Sequence, residues 1–160
     1  LAEVNRSMQV ERVSDKIAKV IVEFILTSPF FRSDTAIADN TTVIDGSPTS
    51  MTVTNTGTVE ETDPVITLTG PLENTIITNT ENGCVLTYTG VIAGGEQVVI
   101  QTVNGEYNAL KDGTTNVIGN VTHSGSASLM VLIAGDNVLS IIDNVETTGT
   151  VGISFYPPYV

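Results

Sequence analysis

Turn-forming residues recur at even intervals from Thr41 to the end of the chain, and this spacing constrains the fold more than any other feature. Successive turn glycines lie 8 to 14 residues apart, and several follow Asn, Asp or Ser, which favour turns. Such spacing is typical of short antiparallel strands folded into a sandwich or barrel. The turn glycines are Gly46, Gly57, Gly70, Gly83, Gly94, Gly105, Gly113, Gly125, Gly135 and Gly149.

The residues between these turns favour strands. The chain has 24 Thr, 21 Val and 15 Ile among its 160 residues, and β-branched side chains pack well on a pleated sheet. Many of the segments alternate apolar and polar residues, so that one face of each strand is directed inward. We therefore predict an all-β chain, an antiparallel β-sandwich. The predicted strands are residues 51–54, 64–69, 84–88, 97–102, 127–133, 138–142 and 151–156.

Residues 1–32 differ from the rest of the chain in their residue pattern. The apolar run over residues 18–27 predicts a long strand, with a helix as the alternative, and Ser28-Pro29 ends it. Residues 32–40 are interpreted as a linker. We therefore divide the chain into an N-terminal extension, 1–32, and a β-sandwich domain, 33–160. The extension strand needs a partner, which could be the sandwich, a neighbouring chain or a preceding domain.

The charge of the chain is concentrated in the sandwich. Residues 33–160 contain 14 acidic residues and one basic residue, Lys111, whereas residues 1–32 contain five basic and four acidic residues. A domain this acidic repels the phosphate backbone of nucleic acids, so we expect no nucleic-acid partner. No run of eighteen apolar residues occurs, so we expect no membrane span. The residues from Leu1 onward lack the pattern of a signal peptide.

The sequence offers few residues for catalysis. His123 is the sole histidine, and we expect it in a solvated loop over residues 121–125. Glu60, Glu61 and Asp63 could pair as glycosidase carboxylates only inside a sugar-binding cleft, so we interpret them as a solvated acidic loop. Cys84 is the sole cysteine. We expect it to be buried and unreactive, with an intermolecular bridge or a reactive thiol as alternatives.

Metal and cofactor sites are equally sparse. Zinc would need His and Cys ligands that the chain lacks, and no acidic spacing matches an EF-hand loop. Asp136 with Asn137, or Asp112 with Asn116, could supply oxygens to an irregular calcium site. We expect no catalytic residue, no metal and no cofactor, and hence no enzyme.

Several turns, taken in order, resemble one family. Upstream of them, residues 22–31 (VEFILTSPFF) are similar to the strand and Pro-aromatic corner where that family's first domain leads into its second. The matching turn segments are residues 55–57 (NTG), 63–70 (DPVITLTG), Asn79, 82–83 (NG), 93–96 (AGGE), 104–105 (NG), 133–137 (IAGDN) and 155–159 (FYPPY). In this order, the set resembles the C-terminal domain of the distal tail protein of long-tailed bacteriophages, the siphovirus-type tail component, over residues 17–160.

The resemblance implies a galectin-like jelly roll and a structural role without catalytic residues. It implies a homo-oligomer, hexameric in the full-length protein, whose ring joins the tail tube to the host-adsorption apparatus. The implied partners are the tail tube, tail-associated and receptor-binding proteins. The implied location is the virion tail tip, after assembly in the host cytoplasm, where an unpaired Cys84 is expected. Most of the ring-forming first domain has no counterpart here, so we expect residues 1–32 to end such a domain.

Two other functions remain open. Galectin-like sandwiches commonly bind sugars, so a carbohydrate-binding module that recognises host carbohydrate is the main alternative. Sugar stacking normally needs exposed aromatic rings, and the chain has no Trp. A bacterial surface or adhesin domain is the third possibility, because the sandwich is rich in Thr and Val. The tyrosines available for stacking are Tyr88, Tyr107, Tyr156 and Tyr159.

Overall fold

The computed structural model describes residues 2–4, 9–14, 17–21, 24–26, 31–44, 48–144 and 148–160. The chain divides into two compact units. We call Leu1–Phe31 with Val160 the N-terminal unit, and Arg32–Tyr159 the sandwich.

Nearly all regular structure in the described residues is β-strand, with one 3-10 turn at Ile118–Asn120. In chain order the strands are β1 (Ala2–Val4), β2 (Gln9–Ser14), β3 (Ile17–Ile21), β4 (Phe24–Leu26), β5 (Phe31–Arg32), β6 (Ile37–Ile44), β7 (Thr49–Asn55), β8 (Val65–Thr69), β9 (Leu72–Glu73), β10 (Ile76–Asn79), β11 (Val85–Tyr88), β12 (Val91–Ile92), β13 (Gln97–Val103), β14 (Glu106–Lys111), β15 (Thr115–Asn116), β16 (Val121–Ser124), β17 (Gly135–Ile142), β18 (Gly149–Phe155) and β19 (Pro158–Tyr159).

Two antiparallel sheets form the sandwich. One has five strands in the order β16-β11-β10-β17-β7, and the other has six in the order β15-β14-β13-β8-β18-β6. The chain passes repeatedly from one sheet to the other. The antiparallel β-sandwich predicted from the turn spacing is therefore confirmed.

The core lies between the two sheets, and alternation along each strand builds it. In β8, Ile66 and Leu68 are buried while their neighbours are half-exposed. In β17, Leu139 and Ile141 are buried in the same way. Burying one such side chain stabilises the fold by about 1.5–3 kcal/mol relative to leaving it exposed. Alternation with a period of two is why these segments form strands rather than helices.

The described residues 2–26 of the N-terminal unit form paired strands. β1 pairs with β4 and β2 pairs with β3, both antiparallel. Strand rather than helix is therefore confirmed for Ile17–Ile21 and Phe24–Leu26, whereas Val22, Glu23 and Thr27 lie outside the described residues. Their partners lie within residues 2–14, which the sequence had not indicated as strand.

Several local predictions for the sandwich are wrong. The linker predicted at 32–40 already contains the start of β6, at Ile37. β6 is an edge strand, and edge strands tolerate polar residues because one side needs no partner. The loop predicted at 121–125 is largely β16, whose four residues pair with β11.

Two predicted turns also fall inside strands. Gly135 begins β17, whose pairing with β7 continues to Asn55. Gly149 begins β18, and a Cβ there would lie 2.4 Å from the Leu72 side chain, so this glycine permits close packing rather than a turn. The turn predicted at Asp45-Gly46 lies outside the described residues.

Candidate functional site

Residues 129–133 form the segment that most departs from the predicted fold. A strand was predicted over 127–133, but only Leu132 pairs, in a single bridge with Glu61. The N–H of Glu61 donates to the Leu132 carbonyl at 2.8 Å, and the N–H of Leu132 donates back at 2.9 Å. Residues 129–132 are all buried, but the prediction is wrong because backbone groups of residues 131–133 bond to side-chain amides rather than to a neighbouring strand. We call residues 129–133 the core segment.

The core segment has no neighbouring strand to pair with, and buried asparagine side chains supply hydrogen bonds to its backbone instead. Asn79, at the end of β10, donates from Nδ2 to the Val131 carbonyl at 2.9 Å. Asn55, at the end of β7, donates from Nδ2 to the Leu132 carbonyl at 3.2 Å. Both asparagines are almost fully buried. Buried peptide groups need hydrogen-bond partners, and these amides supply them.

Asn137 in β17 makes the largest number of these contacts. Its Oδ1 accepts from the Ile133 N–H at 2.9 Å, and its Nδ2 donates to the Ile133 carbonyl at 2.9 Å and to the Gly135 carbonyl at 3.0 Å. Oδ1 also accepts from Asn79 Nδ2 at 2.9 Å. Asn79 and Asn137 thus bond to each other, whereas Asn55 reaches the core segment separately, through the Leu132 carbonyl. We call these three residues the asparagine network. Buried polar groups of this kind fix the arrangement of the backbone when every group is paired.

An open cleft of about 280 Å³ lies beside the core segment. Cys84, Val131 and Ile133 line it with apolar surface, and Glu60 and Cys84 are its only ionisable residues. Cys84 is buried, as predicted. The remaining lining residues are small or polar: Thr62, Asn82, Gly125, Ser126, Ala127 and Ser128. No aromatic ring is among them, so the cleft lacks a surface on which a sugar could stack.

Glu61 is buried, contrary to the solvated acidic loop predicted for residues 60–63. Its side chain is 0% exposed and forms a short ion pair with Arg32, whose side chain is 39% exposed. The Asp63 N–H donates to Glu61 Oε1 at 2.7 Å, and Arg32 also donates to the Tyr156 carbonyl at 3.1 Å. Glu60 and Asp63 are exposed. Sequence reasoning missed Glu61 because its partner lies 29 residues away.

His123 lies against an aromatic ring rather than beside a carboxylate. Its ring meets that of Tyr107 edge to face, with centroids 5.5 Å apart. Tyr107 is 40% exposed, and its hydroxyl donates to the Ala127 carbonyl. Tyr156 is 49% exposed, whereas Tyr88 is buried and cannot stack on a ligand.

The residues proposed for calcium are used within turns and strands. Asp136 accepts from the Thr54 hydroxyl at 2.7 Å, and the Asn137 amide is directed to the core segment. Asp112 accepts from the Gln97 N–H at 2.9 Å, and Asn116 accepts from the Ile118 N–H at 3.0 Å. In the described part of the chain, no three His, Cys, Asp or Glu residues are grouped so that they could hold a metal ion.

Buried polar groups also fix loops at the other end of β17. Asp143 follows this strand and is 3% exposed. Its Oδ1 accepts from the Glu73 N–H at 2.8 Å and from the Thr75 hydroxyl at 3.2 Å. The backbone N–H of Asn144 donates to the Glu73 carbonyl at 3.0 Å. Loops at both ends of the five-stranded sheet are therefore held by side chains of the sandwich.

One half-buried ion pair perturbs the ionisation of its members. Lys111 Nζ lies 2.6 Å from Glu96 Oε2, between β14 and the turn before β13. The Lys111 hydrogen bond, and then the Ala93 N–H, lower the pKa of Glu96. The same hydrogen bond raises the pKa of Lys111. The pair links the two strands at the end opposite their connecting turn.

The outer face of the five-stranded sheet is nearly uncharged. Register and burial direct Thr, Ser, Val and Ile outward, together with a single charged residue, Asp136. The acidic residues of the sandwich therefore lie mainly in its loops. The outward residues are Ser50, Thr52, Thr54, Ile76, Thr78, Val85, Thr87, Thr122, Ser124, Asp136, Val138, Ser140 and Ile142.

Comparisons with known proteins return no match. No family model matches the chain, and neither a curated protein nor a solved structure resembles it significantly. No helix in the described residues is both long enough and apolar enough to cross a membrane.

Proposed function

We propose that this chain is a structural module of a bacteriophage tail, placed at the distal tip where the tail tube meets the host-adsorption apparatus. The observation that carries the proposal is how the buried polar side chains are used. Asn55, Asn79 and Asn137 are bonded to backbone groups of the core segment, and Asp143 is bonded to the backbone N–H of Glu73 in the short strand β9. These bonds tie neighbouring segments to both ends of the five-stranded sheet, and a module that joins other proteins needs ends of fixed shape.

The resemblance of the turn pattern to the distal tail protein family gives the proposal its specific form. The order of the segments from Asn55 to Tyr159 is the basis of that resemblance. An antiparallel sandwich agrees with the fold that the family implies. The proposed partners are the tail tube, tail-associated and receptor-binding proteins, and the proposed assembly is a homo-oligomeric ring.

The distribution of charge supports an assembly role as well. The outer face of the five-stranded sheet offers Thr, Ser and aliphatic side chains with one carboxylate, whereas the loops carry most of the acidic residues. A neutral sheet face can be buried against a partner with little cost of desolvating charge. The acidic loops repel other copies in unordered contacts, which keeps the protein soluble before assembly.

The proposal is tested by the mass and shape of the protein expressed from its complete gene. We expect light scattering after size exclusion to give a homo-oligomer, and negative-stain micrographs to show rings. A full-length protein that stays monomeric, alone and with tail-tube protein, would contradict the proposal.

The carbohydrate-binding alternative makes a separate prediction. A glycan array should stay blank if the sandwich is purely structural. A hit that Tyr107→Ala abolishes and Tyr107→Phe preserves would favour sugar stacking, because phenylalanine keeps the ring and removes only the hydroxyl bonded to Ala127. Tyr156→Ala serves as the matched variant at the other exposed tyrosine of the sandwich.

A further inference from the structure

The chain contains two Asn-Gly pairs, Asn82-Gly83 and Asn104-Gly105, and the structure treats them differently. In such a pair the glycine nitrogen can attack the side-chain amide carbon, because glycine has no side chain to obstruct the approach. Whether this happens in a folded protein depends on how firmly the nitrogen and the amide are held.

Both reacting groups of the first pair are held. Asn82 Nδ2 donates to the Val131 carbonyl at 2.9 Å, and its Oδ1 accepts from the Cys84 N–H at 3.0 Å. The N–H of Gly83 donates to the Asn79 carbonyl at 2.8 Å. Ring closure at Asn82 would break all three hydrogen bonds, two of which anchor the core segment and the start of β11.

The second pair is open. Asn104 and Gly105 form the two-residue turn between β13 and β14, with φ of 53° and 81°, and both are exposed. No hydrogen bond holds the Asn104 amide in the described part of the chain. A Cβ placed on Gly105 would meet no atom within 4 Å, so water has free access to this turn.

We propose that Asn104 is a site of spontaneous deamidation in the folded protein. The Gly105 backbone nitrogen loses its proton and attacks Asn104 Cγ, a C–N bond forms, and the side-chain nitrogen leaves as ammonia. Water then opens the resulting succinimide at either carbonyl. The products are aspartate and isoaspartate at position 104, and the only co-reactant is water.

The modification alters the hairpin that it occupies. Either product adds a negative charge two residues from Glu106, and isoaspartate also adds a methylene to the backbone of a two-residue turn. Val103 pairs with Glu106 across this turn, and turn length sets the register of a hairpin. We therefore expect isoaspartate to loosen the tip of β13 and β14 and to leave the rest of the sandwich intact.

Peptide mapping tests the proposal directly, because cleavage after glutamate separates the two pairs. Residues 82–96 and 97–106 become separate peptides. The whole chain is incubated in warm, mildly alkaline buffer, folded or in urea, and both peptides are followed by mass spectrometry and by enzymatic methylation of isoaspartate. Asn104→Gln is the control variant.

In folded protein, we expect peptide 97–106 to gain the deamidated mass and the isoaspartate signal while peptide 82–96 stays unchanged. In urea, both peptides should be modified, because unfolding releases Asn82. Asn104→Gln should lose the folded-state signal. Modification of Asn82 as fast as Asn104 in folded protein would overturn the proposal, and so would an unmodified Asn104 under conditions that modify it in urea.

Discussion

Asn79 Nδ2 donates to Asn137 Oδ1 at 2.9 Å, inside the five-stranded sheet and out of contact with solvent. The two residues lie on neighbouring strands, β10 and β17. Asn79 also donates to the Val131 carbonyl, and Asn137 also accepts from the Ile133 N–H, and both of these groups belong to the core segment. This bond therefore joins two side chains that both reach a segment with no strand ladder of its own.

Asn137→Ala should destabilise the sandwich by roughly 3 kcal/mol, because each buried peptide group left unpaired costs about 1–3 kcal/mol. The Ile133 N–H and carbonyl would both lose their partner. The urea midpoint measures the change. Asn116→Ala is the matched control, since Asn116 is exposed and bonds one N–H, and should cost only about 1 kcal/mol. Equal losses in the two variants would contradict this role for Asn137.

Arg32→Ala should destabilise the sandwich by roughly 2 kcal/mol. Removing one partner of a buried ion pair costs about 3–5 kcal/mol, and the loss is reduced here because the Arg32 side chain is 39% exposed. Adding Glu61→Gln should recover part of the loss, because the buried charge is then absent. A double-mutant cycle by urea unfolding measures the coupling. Additive effects of the two substitutions would show that the pair is not coupled.

Lys111→Met should lower stability near neutral pH by an amount that depends on pH and salt. Because folding lowers the pKa of Glu96, it stabilises the fold at pH values above the ordinary pKa of glutamate. This stabilisation is lost as pH falls through the lowered pKa. Because folding raises the pKa of Lys111, it stabilises the fold at pH values below the ordinary pKa of lysine. This stabilisation is lost as pH rises through the raised pKa. The difference in urea midpoint between wild type and variant should vanish at both extremes of pH, and it should become smaller as the salt concentration is raised. A difference that is constant with pH would exclude this explanation.

Gly125→Ala should destabilise the loop beside the cleft. Gly125 has φ of 84°, and a Cβ there would lie 2.3 Å from the Gly83 carbonyl oxygen. Strain of this kind costs about 1–3 kcal/mol, so the melting temperature should fall by several degrees. Gly119→Ala is the control, because a Cβ at Gly119 meets nothing within 4 Å. If both variants have the same melting temperature, the backbone around Gly125 adjusts without cost and the prediction is wrong.

The sequence predicts the strands that alternate and misses the segment that does not. Residues 64–69 and 97–102 alternate apolar and polar side chains, and both form strands where expected. The core segment has four consecutive buried side chains, and local periodicity cannot tell such a run from a buried strand.

A signal for the asparagine network was nevertheless present. In β7, every second residue points inward, and Asn55 follows Met51 and Val53 in that alternation. In β17, Asn137 precedes Leu139 and Ile141 on the inward face in the same way. A polar residue in a core position needs buried partners, which indicates a loop folded onto that end of the sheet. The identity of those partners could not be predicted, because Asn55 and Asn79 reach carbonyls of the core segment that lie 77 and 52 residues away in the sequence.

Immunogold labelling of phage particles is the most direct test of the proposed function. Antibodies raised against Arg32–Tyr159 would be applied to particles from the host that carries the gene, beside particles from a deletion strain. We expect label at one end of the tail, at the tip, and tails without a functional tip in the deletion strain. Normal, infective tails in the deletion strain, with no label on wild-type particles, would contradict a structural role in the tail.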